Sequence, residues 1–182
     1  KSELLEIKFF NNKQIAKNII LVIGDGTGLN QIMVSRISEG GLDYKLAIDQ
    51  LPHQGLALTH SYNEVITDSA AAATSWATGF KTKNKFISVT PEKETLETIT
   101  EMLTKKGYTS GLVATSSITH ATPAAFYAHI DSRYKEVEIA NQLLDSSIDI
   151  SLGGGLEFFD LEKAKVSHKL ITDKNSLNNN IK

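Results

Sequence analysis

The sequence contains no cysteine. That excludes a disulfide framework and any thiolate metal centre. It leaves the compartment open, since exported bacterial proteins also lack cysteine. Charge of one sign is missing too: 19 Lys and Arg against 21 Asp and Glu give a formal net charge of -2. No basic stripe runs along any segment, so there is no nucleic-acid platform. Long apolar runs are absent. The longest, Ile19 to Ile23, is strand-sized and far short of the ~20 residues of a membrane span. The chain begins at Lys1 without a visible signal peptide, which reads as a processed or trimmed product whose export signal has been removed. The remaining composition, 41% hydrophobic and 22% charged over 182 residues, is that of one ordinary globular domain.

Short apolar runs alternate with amphipathic ones. Residues 18–23 are β-branched-rich and nearly all apolar, which suits a strand buried on both faces. Leu29, Ile32, Met33 and Ile37 then recur at helical spacing until Gly40-Gly41. Residues 54–60 read as a second strand. Ser69 to Thr78 is an alanine-rich helix closed by Gly79, and Leu96, Ile99 and Leu103 mark another stopped at Gly107. Thr109 to Thr115 reads as a third strand and Ile148 to Leu152 as a fourth. Between them, Ala124 to His129 and the Val137, Ala140, Leu144 stripe are helical. Such alternation predicts an α/β fold: a parallel-rich central sheet with helices on both faces. Ligands of such sheets bind beyond the carboxyl ends of the strands. The polar, asparagine-rich stretch from Asp173 to Lys182 reads as a flexible linker.

Three polar clusters follow three of these strands. In Gly24-Asp25-Gly26-Thr27-Gly28 the carboxylate of Asp25 is placed to hold a cation; its plainer reading is a helix cap, and a dinucleotide loop is a third. Ser69 stands where a loop becomes a helix, a position that favours anions and phosphate. Its plainer reading is an N-cap. In Ser116 to Pro123, His120 and Thr122 can reach the crevice, and Arg133 farther on offers a planar fork that matches two phosphate oxygens. Singly these are a loop histidine, a cap and a surface arginine. Together they are the parts phosphoryl transfer needs: a carboxylate for cations, a nucleophile and a clamp on equatorial oxygens.

The run Val65-Ile66-Thr67-Asp68-Ser69-Ala70-Ala71-Ala72-Ala73-Thr74 resembles the nucleophile signature of alkaline phosphatases. Gly24 to Gly28 is similar to their first metal loop, and His120 to Arg133 to the segment carrying their third metal site and phosphate-binding arginine. The motifs stand in family order from about Asn18 to Gly155. The resemblance implies metal-dependent hydrolysis of phosphate monoesters through a covalent phosphoserine, with inorganic phosphate as product. It implies two zinc ions and one magnesium ion per complete site. Asp25 would bridge the magnesium site and one zinc, Ser69 would attack phosphorus and bind that zinc, and Thr122 would ligate magnesium. Asp68 would position Arg133, and Arg133 would hold the phosphate. His120 occupies a position that is aspartate in some members. Imidazole suits zinc better than magnesium, so a link through water is the alternative to direct ligation there. Thr27 stands where methionine is usual.

The resemblance further implies a periplasmic or secreted enzyme, a homodimer when full length. Members are roughly twice as long and carry most zinc ligands in the second half. Residues 1–182 therefore read as the amino-terminal part of a single catalytic domain, inactive by itself. Of the histidines after Thr122, His129 and His168, neither lies in a zinc-motif context. Alternatives are a related phosphodiesterase or sulfatase-like hydrolase, and a nucleotide-binding module built on the glycine loop.

Overall fold

Alternation along Gly111–Ser117 (β1) turns Leu112 and Ala114 toward the core and leaves Val113 and Thr115 outside. The structure, a computed structural model describing residues 16–167, pairs this strand in parallel with Ile150–Gly154 (β2). The register runs Gly111↔Ile150, Leu112↔Ser151, Val113↔Leu152, and resumes after an irregularity at Ser117↔Gly154. Parallel strands need a long crossover, and here it passes through two helical segments. Both strands extend two residues past their expected ends. Gly153 packs against Ile118, where a Cβ would lie 3.1 Å from that of Ile118, while a Cβ on Gly154 would meet Ser116 and Ser117 at ordinary contact distance.

Two expected strands are not paired. Among the described residues, 18–23 and 54–60 join no ladder, and Ile20, Val22 and Leu56 are 89, 86 and 98% exposed. A strand is defined by its neighbour's backbone. These apolar segments have neither a partner nor a cover among the described residues, and of the first only Ile23 packs against the core. The first helix, Leu29–Gly40 (α1), forms as expected, but its apolar stripe is likewise uncovered. It is fastened by the Arg36 fork, whose Nη2 donates to both carboxylate oxygens of Asp49 at 2.7 and 2.9 Å. That hydrogen bond holds the Asp49 carboxyl below its ordinary value.

The core lies between Ser69–Thr78 (α2) and the β1–β2 crossover. Gly79, at φ +80°, ends α2 in the left-handed conformation that glycine adopts without steric cost. Ala70, Ala73 and Ala77 of α2 are buried with Ala121 and Ala124 of the short helix Ala121–Ala124, and with Ala125 just beyond it. Small side chains let the two backbones approach closely. Ile87, Phe126, Ile118, Ile139, Leu143 and Ile148 fill the space around them. In chain order the helices after α2 are α3 (Ile99–Thr104), α4 (Ala121–Ala124), α5 (Glu136–Leu144) and α6 (Leu161–Ser167). The helical stretch expected at 124–129 lies instead at 121–124, with Pro123 in its first turn, where a missing N–H costs nothing, and residues 125–127 form only a turn. No helix among the described residues is long and apolar enough to cross a membrane.

Helix α3 opens on a capping box. Thr98 Oγ1 accepts from Glu101 N at 3.3 Å, and Glu101 Oε2 accepts from Thr98 N at 2.8 Å. Glu101 Oε1 also meets His129 Nε2 at 3.0 Å, while His129 Nδ1 faces the Ser88 carbonyl at 2.9 Å. Burial works to raise the Glu101 carboxyl, but the bonds from Thr98 N, His129 and Thr98 Oγ1 outweigh it and leave its pKa below the ordinary 4.5. A depressed carboxyl stabilises the fold above its unfolded value, and that contribution is lost as pH falls through the folded value. Glu101→Ala is expected to cost about 1 kcal/mol near neutral pH, through the lost cap and the unpaired His129. In urea titrations the difference from wild type should shrink once acid has protonated Glu101. A gap independent of pH would contradict this.

Candidate active site

The start of α2 is set by Asp68. Its Oδ1 accepts from Ala71 N at 3.0 Å, so the N-cap is Asp68 and not Ser69. Ser69 is the first helical residue and is free of capping duty. Its Oγ donates to Asp25 Oδ1 at 2.9 Å, across 44 residues of chain. The other oxygen of Asp68 accepts from Lys85 N at 3.0 Å and from Arg133 Nη1 at 3.2 Å. The Lys85 carbonyl accepts from Arg133 N at 2.8 Å, so both the backbone and the guanidinium of Arg133 are fastened beside Ser69.

Asp25 sits in a tight turn in which Thr27 N donates to the Gly24 carbonyl at 3.1 Å and Gly26 takes φ +67°. It does not cap α1; Gly28 holds that position, with the Gln31 side chain accepting from its N–H at 3.0 Å. Instead Asp25 Oδ2 accepts from Thr122 Oγ1 at 3.0 Å, across 97 residues. His120 precedes α4, and its Nδ1 stands 3.9 Å from Asp25 Oδ2, beyond hydrogen-bond reach. Its Nε2 is 2.8 Å from Arg133 Nη2. A guanidinium can only donate, so Nε2 accepts and the ring proton of the neutral tautomer sits on Nδ1.

The structure thus brings all five expected site residues together, in two hydrogen-bonded sets that meet at the start of α2. Asp25 joins Ser69 and Thr122, and Arg133 joins Asp68 and His120. The side chains of Asp25 and His120 are 42 and 33% exposed, which leaves them open to a ligand. A negative carboxylate with two hydroxyls is an all-oxygen donor set, the kind that suits magnesium. It fits part of a magnesium site, with Asp25 and Thr122 as ligands. For zinc the fit is poorer. The one imidazole of the network already uses Nε2 on Arg133, and no group of three or more Asp, Glu or His at metal-binding spacing occurs among the described residues. His129 is engaged with Glu101 and Ser88. His168 and the stretch Asp173 to Lys182 lie outside the described residues.

Sequence reasoning missed the supports. Asn84 Oδ1 accepts from Asp68 N at 3.1 Å while its Nδ2 donates to the Ile66 carbonyl at 3.0 Å. One side chain thereby stands in for a strand partner along the segment that enters Ser69. Lys85 follows at φ +75°, uncommon for a residue with a Cβ, and this directs its N–H to Asp68 and its carbonyl to Arg133. An Asn-Lys pair in a loop carries no periodic signal, so nothing in the sequence points to either role.

The alkaline phosphatase family profile matches residues 16–180. Alkaline phosphatase 4 of Bacillus subtilis is 36% identical over 93% of this chain and 41% of its own length. Cold-active alkaline phosphatase from a Shewanella species superposes with a TM-score of 0.80 at 34% identity, covering 86% of this chain and 42% of that one. A His-to-Glu variant of the alkaline phosphatase from the Antarctic bacterium TAB5, with magnesium bound in its M3 site, gives 0.75 at 36% identity over 84% and 47%. The chain therefore spans less than half the length of these relatives. Motif order, site geometry and the match from residue 16 to 180 agree: the chain belongs to the alkaline phosphatase family.

Proposed function

We propose that this chain, as part of its full-length protein, hydrolyses phosphate monoesters through a phosphoserine at Ser69. One observation carries this reading: a hydroxyl nucleophile and a guanidinium fork are tethered to consecutive residues, Ser69 itself and Asp68, at the start of α2. Helix-start N–H groups and the helix dipole favour the same anion. In the first step Ser69 Oγ forms a bond to phosphorus as the ester P–O bond breaks and the alcohol leaves. Asp25 Oδ1, already the acceptor of the Ser69 hydrogen bond, faces the proton that must depart. In the second step water attacks phosphorus, the Ser69 O–P bond breaks, and inorganic phosphate is released. Arg133 holds the phosphoryl oxygens through the N–H donors not spent on Asp68 and His120, and such charge-assisted bonds strengthen as negative charge spreads over those oxygens.

The metal complement of the reading is two zinc ions and one magnesium ion, with Asp25, Ser69, Thr122 and His120 as this chain's contribution. When bound they supply positive charge that favours the Ser69 alkoxide and neutralises the phosphoryl group. The same reading takes the working form to be a periplasmic or secreted homodimer, which fractionation and gel filtration test.

Ser69→Ala should lower turnover of a phosphate monoester at least about a thousandfold while magnesium binding, read by calorimetry, persists. An unchanged rate would remove Ser69 as the nucleophile. Arg133→Ala should weaken inorganic phosphate binding by about 10- to 100-fold, the worth of a charge-assisted pair. Asp68→Asn is a finer probe. Its amide oxygen can still cap α2, but its NH2 must then face the Lys85 N–H and Arg133. Phosphate affinity should fall although Ser69 is intact, and full retention would show that Asp68 does not hold the fork.

A further inference from the structure

The two arms of the site come from separate stretches of chain. His120 and Thr122 leave the β1–α4 loop, and Arg133 lies in the segment that enters α5. Glu136, the first residue of α5, ties these stretches together. Its Oε2 accepts from Thr119 Oγ1 at 2.5 Å and from Ser117 Oγ at 3.2 Å. Thr119 is fully buried, immediately before His120; with its own proton given to Glu136, it leaves Ser117 Oγ to share a single proton between Thr119 Oγ1 and Glu136 Oε2. Thr119 N donates to Ser117 Oγ at 3.1 Å. Between them Ile118 is held from the other side, its N–H by the Gly154 carbonyl at 2.9 Å and its carbonyl by the Tyr127 hydroxyl at 2.8 Å. The loop therefore has two kinds of anchor. Those at Ile118 fix it to β2 and to the α4 end, and the Glu136 anchor joins it to the Arg133 segment alongside the His120–Arg133 bond itself.

A carboxylate at a helix start has a plainer use, since negative charge there complements the helix dipole. That use needs no partner. Here the carboxylate accepts from two hydroxyls of one loop, one of them on a fully buried threonine, and a glutamate that served the dipole alone would have no need of them. We propose that Glu136 is a positioning residue that sets the spacing between the His120–Thr122 arm and the Arg133 arm. Its functional consequence rests on the phosphatase reading above; the geometric claim does not. Loosening this tie would let the His120–Arg133 and Thr122–Asp25 bonds drift, and placement errors near 1 Å are enough to cost rate and affinity.

The test compares Glu136→Ala, Glu136→Gln and Thr119→Val in the metal-loaded protein. It reads inorganic phosphate affinity, kcat and KM separately, and the imidazole nitrogen resonances of His120. Gln keeps an acceptor for Thr119 and Ser117 but removes the charge; Val removes the Thr119 donor at nearly constant volume. Glu136→Ala and Thr119→Val are expected to weaken phosphate binding by about tenfold or more and to shift His120 Nε2 toward an unbonded value. Glu136→Gln should stay close to wild type in both. If Glu136→Gln falls with Glu136→Ala, or if His120 is unmoved in Glu136→Ala and Thr119→Val, the residue serves only the helix and the proposal is overturned. Should wild type neither bind nor turn over phosphate while His120 still responds to Glu136 and Thr119, the phosphatase reading fails and the positioning role stands.

Discussion

The Asp68 carboxylate is the constraint on which the site depends. One oxygen caps α2 and so fixes where the helix begins; the other holds Lys85 N and the Arg133 guanidinium. Had Ser69 been the cap, its hydroxyl would have been spent on the helix's own N–H groups. Because its neighbour takes that duty, Ser69 keeps its hydroxyl for Asp25 at the positive end of the helix. The same carboxylate sets the cation fork one residue away. Helix start, nucleophile placement and anion clamp are therefore consequences of one side chain.

Asp25 supplies the second constraint, and it works at longer range. It draws together hydroxyls that lie 44 and 97 residues away in sequence. Two such hydrogen bonds could not define the site without a rigid base. That base is the alanine contact between α2 and α4, where small side chains hold the two helix starts close together. Polar residues at those starts then need little reach. Around this centre the supports differ in kind: Asn84 replaces a missing strand partner, Lys85 uses an uncommon backbone conformation, and Glu136 reaches the buried Thr119 hydroxyl of the loop before His120.

The sequence made some of this legible for identifiable reasons. The bounds of α2 follow from an alanine run ended by glycine, and they coincide with the structure from Ser69 to Thr78. β1 and β2 were visible as apolar runs, but each ends two residues later than expected. The glycines that look like a terminator stay in the strand, Gly153 against Ile118 and Gly154 paired with Ser117. Residues 18–23 and 54–60 have the composition of buried strands, yet pairing depends on a neighbour that composition does not specify. Among the site residues, Asp25, Ser69, His120, Thr122 and Arg133 stand out because they follow strands or match a family pattern. Asn84, Lys85 and Glu136 do not, because their work is done across loops, where no period or motif marks a contact.

The central claim is that phosphorus becomes bonded to Ser69. Mixing the metal-loaded protein with a phosphate monoester labelled in its phosphoryl group, quenching in acid during turnover and mapping the peptides tests this directly. The account predicts label on the peptide spanning the start of α2, assigned by fragmentation to Ser69. Label on another residue, or steady turnover with no covalent label under the same quench, would contradict it.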